Sequence, residues 1–179
     1  MEYLFPKRSM YEKFWMGSRC RIAIPPTPVE FGLKLCKVGS RKKVDNTFYK
    51  QIVGSLMYLT ATRPDIMYAV SLISRYMESP TEIHLLAAKR IRRYLQGTKD
   101  FVLFYKGEKS DLISFTDSDY ARDQDDRRST SGYVFMLGTG AVSWSSKKQS
   151  IVTLSSTEAE FVAATTCACQ AVWLRRILE

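Results

Sequence analysis

The chain has 179 residues, 45% of them hydrophobic and 12% aromatic, enough apolar mass for one good domain or two small ones and too much for a disordered chain. Its net charge of +9 is uneven: residues 1–100 hold 18 Lys/Arg against 8 Asp/Glu, and residues 101–179 hold 9 against 10. No long apolar run suggests a membrane span or secretory signal, and Cys20, Cys36, Cys167 and Cys169 form no CxxC pair, so a reduced, intracellular protein of the cytoplasm or nucleus is expected.

Residues 1–44 read as irregular, interrupted by IPPTP at 24–28 and GSRKK at 39–43. A helical period then runs from 45 to 97 in three pieces. Asp45 is placed to cap a helix reaching Leu59. Pro64 suits the first turn of a second helix, with Asp65 favouring its positive end. Ser79-Pro80-Thr81-Glu82 opens a third helix, which Gly97 closes. Its later turns carry Lys89, Arg90, Arg92 and Arg93, the densest positive patch in the chain and a candidate phosphate contact. A simply solvated basic face is the ordinary alternative. His84, the single histidine, lies among Leu85, Leu86 and Ala87, which argues against Ser-His or Cys-His catalysis.

Beyond Thr98 the period alternates. FVLFYKG (101–107) and LISFTDS (112–118) read as strands, and GYVFMLG (132–138) with AVSWSS (141–146) as a hairpin turning at Gly138-Thr139-Gly140. Ser155-x-x-Glu158 forms a capping box that starts a last helix. The cysteines at 167 and 169 point about 200° apart on such a helix and cannot share an ion; they read as small core residues.

Two acids stand out. Strand alternation puts Asp117 on one face with Ile113 and Phe115, at the strand's end, where rigid backbone and partial shielding suit a divalent cation. The competing reading is that Asp117 or Asp119 only caps the following turn. On the last helix Glu160 shares a stripe with Ala163, Ala164, Cys167, Ala171, Leu174 and Leu178, aimed at the sheet that carries Asp117. Glu158 is accounted for by the cap, whereas the helix dipole explains the turn of Glu160 but not its face. Two converging carboxylates fit Mg²⁺-assisted phosphodiester hydrolysis and also glycosidase chemistry.

The strings YKQIVGSLMYLTATRPDIMYAVSLISRYM, AAKRIRRYLQGTKDF, FTDSDYARDQDDRRSTSGYVFMLG, AVSWSSKKQSIVTLSSTEAEFVAA and CACQAVWLRRILE resemble the late part of copia-type retrotransposon Pol polyproteins, from about Cys20 onward. The resemblance implies an α+β chain: an irregular segment over 1–44, a helical reverse-transcriptase thumb/connection segment over 45–105, and over 106–179 part of a ribonuclease H (RNase H) fold, a three-stranded antiparallel meander followed by a helix. It further implies cleavage of the RNA strand of RNA–DNA hybrids by four acids holding two Mg²⁺ ions. Asp117 (from TDSD) and Glu160 (from EAEFVAA) match two of these as catalytic and metal-binding residues. The other two fall on a strand beyond Glu179 and further on, and the polymerase's paired aspartates fall before residue 1. The isolated chain is therefore expected to bind Mg²⁺ weakly or not at all and to be inactive. Its implied partners are nucleic acid and the rest of the Pol polyprotein, with no membrane. The alternative is a non-catalytic retroelement remnant that at most binds nucleic acid. Where the family has Trp and Gly, this chain reads Asp119-Tyr120-Ala121-Arg122, so Arg122 stands at a position where positive φ is expected.

Overall fold

The computed structural model describes residues 24–37, 42–105 and 111–178. Within them lie four α-helices and a three-stranded antiparallel sheet, the α+β class expected. Helix α1 (Asn46–Leu59) starts at Asp45, whose carboxylate accepts the amides of Thr47 (3.0 Å) and Phe48 (3.4 Å). Tyr49, Ile52, Val53 and Leu56 recur at helical spacing and are buried. Pro64 opens a 3₁₀ turn (Pro64–Ile66) that leads into α2 (Met67–Ser74). Asp65 does more than sit at a helix start: it takes both prongs of Arg63 at 2.9 and 2.7 Å and the Tyr94 hydroxyl at 2.9 Å. Burial opposes its charge, but these donors hold its carboxyl below the usual range.

Helix α3 (Glu82–Gly97) is capped by Thr81 rather than Ser79. The Pro80 and Lys42 carbonyls accept the amides of Val44 and Glu82, a short bridge that keeps Thr81 extended and leaves Pro80 outside the helix. The role of a capping-box acid falls to His84, whose Nδ1 accepts the Thr81 amide at 3.0 Å. The His84 ring is fully buried and stacks on Tyr76 at 4.0 Å, so it is a core residue. Gly97 lies inside the last turn, and a β-carbon there would overlap Ile24. Its service is to let the N-terminal segment approach, not to adopt a left-handed cap.

Residues 101–105 form no strand; of the stretch expected as one, residues 106 and 107 lie outside the described residues. An alternating pattern needs a neighbouring strand to satisfy its backbone. Instead Tyr105 donates its hydroxyl to the Ala141 carbonyl at 2.7 Å, covering the hairpin end. The meander itself matches the expectation: β1 (Leu112–Asp119), β2 (Thr130–Leu137) and β3 (Gly140–Lys148) pair in that order. Leu137 faces Gly140 across a two-residue turn in which Gly138 adopts φ +60°. Helix α4 (Ser156–Leu178) packs across β1 and β2, while α2 packs against β3.

The two halves differ in how much they bury. The helical half owns a continuous core that includes Leu35, Tyr49, Leu56, Ile73 and Ile91. Beneath the sheet the buried apolar set is Phe135 and Ala141 with Ala159, Ala163 and Cys167 of α4. Cys36 and Cys169 are exposed rather than in the core, and Cys20 lies outside the described residues. No described helix is long and apolar enough to cross a membrane.

Polar contacts join the halves. Asp123, in the loop between β1 and β2, has a side chain only 2% exposed and pairs with Arg75, the residue that caps the C-terminal end of α2 (3.0 Å), and with Lys148 of β3 (2.8 Å). Its other oxygen accepts the amides of Asp125 (3.0 Å) and Asp126 (3.3 Å), closing its own loop. Arg75 also reaches the Thr130 hydroxyl, and the Trp144 indole donates to the Thr60 carbonyl at the end of α1. Burial pushes against the Asp123 charge, but Lys148 and the two backbone donors outweigh it and hold the carboxyl well below the usual range. A carboxyl depressed in the folded state stabilises above its unfolded pKa of about 3.9 and loses that contribution as pH falls. Asp123→Asn is expected to cost about 3 kcal/mol at pH 7, because Arg75 is left buried without its counter-charge. In denaturant titrations from pH 7 down to pH 2, the unsubstituted chain should lose stability more steeply than the variant below about pH 4.

Candidate functional site

Asp117 lies two residues from the end of β1, opposite Gly132 of β2, which in turn faces Ser146 of β3. The Ser118 hydroxyl is drawn toward α4 by Gln149, whose side-chain nitrogen also donates to the Ala159 carbonyl. Alternation then turns Asp117 to the opposite sheet face. There it lines an open cleft of about 440 Å³ with Tyr68, Asp119, Arg122 and Ser146. The expected shielding is not found: Asp117 is exposed, and its face-mates Ile113 and Phe115 are 53% and 61% exposed. The reason is that α2 covers the β3 side of this face and leaves β1 bare.

Asp119 is engaged by the Tyr68 hydroxyl at 3.0 Å and by Arg122 at 3.3 Å. Burial, then the nearby Asp119, raises the Tyr68 pKa and keeps its hydroxyl a donor. Positive φ falls on Ala121 (+48°) and Arg127 (+57°) rather than on Arg122, which carries no left-handed strain and pairs with Asp119 instead. The turn after β1 is closed by the Asp123 carboxylate.

Helix α4 starts as its capping box requires. The Ser155 hydroxyl accepts the Glu158 amide at 3.1 Å, and Glu158 reaches back to the Leu154 amide at 2.7 Å, one residue before the cap. The buried residues are Ala159, Ala163 and Cys167, so the expected stripe holds at Ala163 and Cys167, with Ala171 and Leu174 half-buried, while Glu160, Ala164 and Leu178 are exposed. Glu160 nevertheless turns to the sheet: its Oε1 accepts the Ser118 amide at 3.2 Å. The first turn of α4 thus brings Glu160 to the residue directly after Asp117. Among the described residues no cluster of three or more metal-ligating side chains occurs. Asp117 and Glu160 each supply hard oxygen donors of the kind Mg²⁺ accepts while keeping several of its waters, and together would form only part of a ligand set.

The basic group lies apart, on α3. Lys89 is exposed, Arg92 and Arg93 are half-buried, and Arg90 donates to the Thr27 carbonyl at 3.3 Å and its hydroxyl at 3.5 Å. Arg90 is therefore partly committed to fixing the N-terminal segment. Two residues that pattern reading missed are Asp123 and Gln149. Neither belongs to a periodic face, and each sits in a polar run, YARDQDDRR and SSKKQS, where nothing local distinguishes one side chain from its neighbours.

No protein-family model matches the chain, and no solved structure matches it. The chain is 46% identical over 153 residues to the retrovirus-related Pol polyprotein from transposon RE1 of Arabidopsis thaliana, covering 85% of this chain and 10% of that protein. It is 43% identical over 160 residues to the corresponding polyprotein from transposon TNT 1-94 of Nicotiana tabacum, covering 86% of this chain and 12% of that one. It thus spans about a tenth of the length of these relatives. It is also 46% identical over 131 residues to the secreted RxLR effector protein 161 of Plasmopara viticola, covering 72% of this chain and 92% of that protein. With these alignments covering most of its length and an antiparallel meander followed by a helix in its second half, the chain belongs to the copia-type retrotransposon Pol polyproteins.

Proposed function

We propose that this segment of a Pol polyprotein contributes the first half of an RNase H-type hydrolytic centre acting on the RNA strand of RNA–DNA hybrids, with Asp117 and Glu160 as its metal-holding carboxylates. The observation that supports the reading is the 3.2 Å bond from the Ser118 amide to Glu160, which brings the helix acid to the residue that follows Asp117 on β1. Bound Mg²⁺ supplies a polarised phosphate and an activated water in such centres. The protein's part is to hold two oxygen donors at the end of a rigid strand. The wide minor groove of a hybrid, lined by 2′-hydroxyls, is the substrate feature such a site reads.

Two carboxylates are too few to hold this ion firmly, since Mg²⁺ gives up its waters reluctantly. The 179-residue polypeptide is therefore expected to show no Mg²⁺-dependent cleavage of a labelled hybrid above background. Turnover that disappears in Asp117→Asn would overturn that expectation.

A second reading, nucleic-acid binding without catalysis, is favoured by the solvent-facing Lys89 on a helix that also carries Arg92 and Arg93. Binding of this kind releases about 0.9 counterions per phosphate contacted. Hybrid affinity measured from 50 to 200 mM salt should fall log-linearly, and Lys89→Ala should make the slope shallower by about one. A flat salt dependence would remove this role.

A further inference from the structure

Gln149 is 5% exposed and follows β3 directly. Its own amide donates to the Ser129 carbonyl at 2.9 Å, which fixes its backbone against the start of β2. Its side-chain nitrogen lies 2.9 Å from the Ala159 carbonyl, 2.8 Å from the Ser131 hydroxyl and 3.3 Å from the Ser118 hydroxyl; with two hydrogens to give, it donates to the first two and shares one of them with Ser118. The carbonyl partner settles which end of the amide is nitrogen, because a carbonyl oxygen can only accept. The Gln149 Oε1 is buried and has no hydrogen-bond partner. A buried side chain that leaves its acceptor unpaired while its donor end is fully used is selected for the donor end.

The placement of those acceptors carries the inference. Ser118 is the residue after Asp117, and Ala159 is the residue before Glu160. One side-chain nitrogen therefore links the side-chain hydroxyl of the residue after the strand acid to the backbone carbonyl of the residue before the helix acid. Ser118 is gripped twice, through its hydroxyl by Gln149 and through its amide by Glu160. The packing beneath this contact is small, with Ala159 and Ala163 the buried residues of the first two turns of α4, so apolar contact alone constrains the helix start weakly.

We propose that Gln149 is the positioning residue of the carboxylate pair: it sets the distance between the end of β1 and the first turn of α4, and so whether Glu160 reaches the strand beside Asp117. The proposal rests on the reading of Asp117 and Glu160 as a pair, but the contact it predicts exists without any metal.

Hydrogen exchange followed residue by residue in the full chain tests it. In Gln149→Met, which keeps the volume and removes the donor, protection of the Ser118 amide should fall at least tenfold, as it should in Glu160→Ala. Protection at Val134 and Phe135 in the middle of the sheet should change by less than about twofold. Should Gln149→Met not fold, Ser118→Ala decides, because it removes only the hydroxyl grip and should also lower protection of the amide at position 118. Unchanged protection at 118 in a folded variant would overturn the proposal, and so would a uniform loss across the sheet, which would make Gln149 a structural residue only. Binding of Mn²⁺ measured on the same samples separates the two ideas. Affinity that depends on Asp117 and falls about tenfold in Gln149→Met supports both. No Asp117-dependent binding in the unsubstituted chain, with the local exchange effect intact, would remove the metal reading and leave the positioning role standing.

Discussion

The architecture turns on a single buried carboxylate. Asp123 belongs to neither core, yet it joins α2 through Arg75, β3 through Lys148 and its own loop through two backbone amides. A buried charge is tolerated only when every lone pair has a partner, and this one is satisfied by two cations and two N–H groups. Because those partners come from different elements, the loop between β1 and β2 has one acceptable conformation. That loop starts at the end of β1, where Asp117 and Asp119 lie.

The junction also explains why the sheet can stand on so little apolar burial. The helical half encloses a continuous core, whereas the sheet half buries one large side chain, Phe135, among alanines and a cysteine. Phe115 on β1 and Phe161, Val172 and Trp173 on α4 remain open to solvent. Docking of β3 onto α2 and of Trp144 onto the end of α1 lends the sheet the support that its own core does not provide. Asp117 and Glu160 lie on the β1 side of the sheet, where the Ser118 amide is satisfied by a side chain.

Within that frame the polar stitching around Ser118 acquires its meaning. Gln149, Glu160 and Ser118 form a small network in which Ser118 is held through both its hydroxyl and its amide. Networks of this type specify geometry more than they add stability, because a displaced member leaves a buried group unpaired. The strand end and the helix start are thereby held in register even though neither acid is itself buried.

The sequence by itself determined the elements whose signals are local. Asp45 capping α1, Ser155 and Glu158 capping α4, Gly138 turning the hairpin and the alternation of β1 could all be read because each depends on residues a few positions apart. The same strings carried the family and drew attention to Asp117 and Glu160. What required the tertiary structure was every decision made between distant segments. FVLFY alternates like a strand but has none beside it among the described residues, and Thr81 displaced Ser79 as a cap because Lys43 bridges to it. The buried stripe of α4 keeps Ala163 and Cys167 where periodicity put them but takes Ala159 in place of Glu160 and Ala164, since a helix of alanines has no sharp apolar face of its own and takes its rotation from the sheet it meets. Asp123 and Gln149 were silent for the same reason: a buried polar residue is defined by partners far away in sequence, and only the fold brings those partners together.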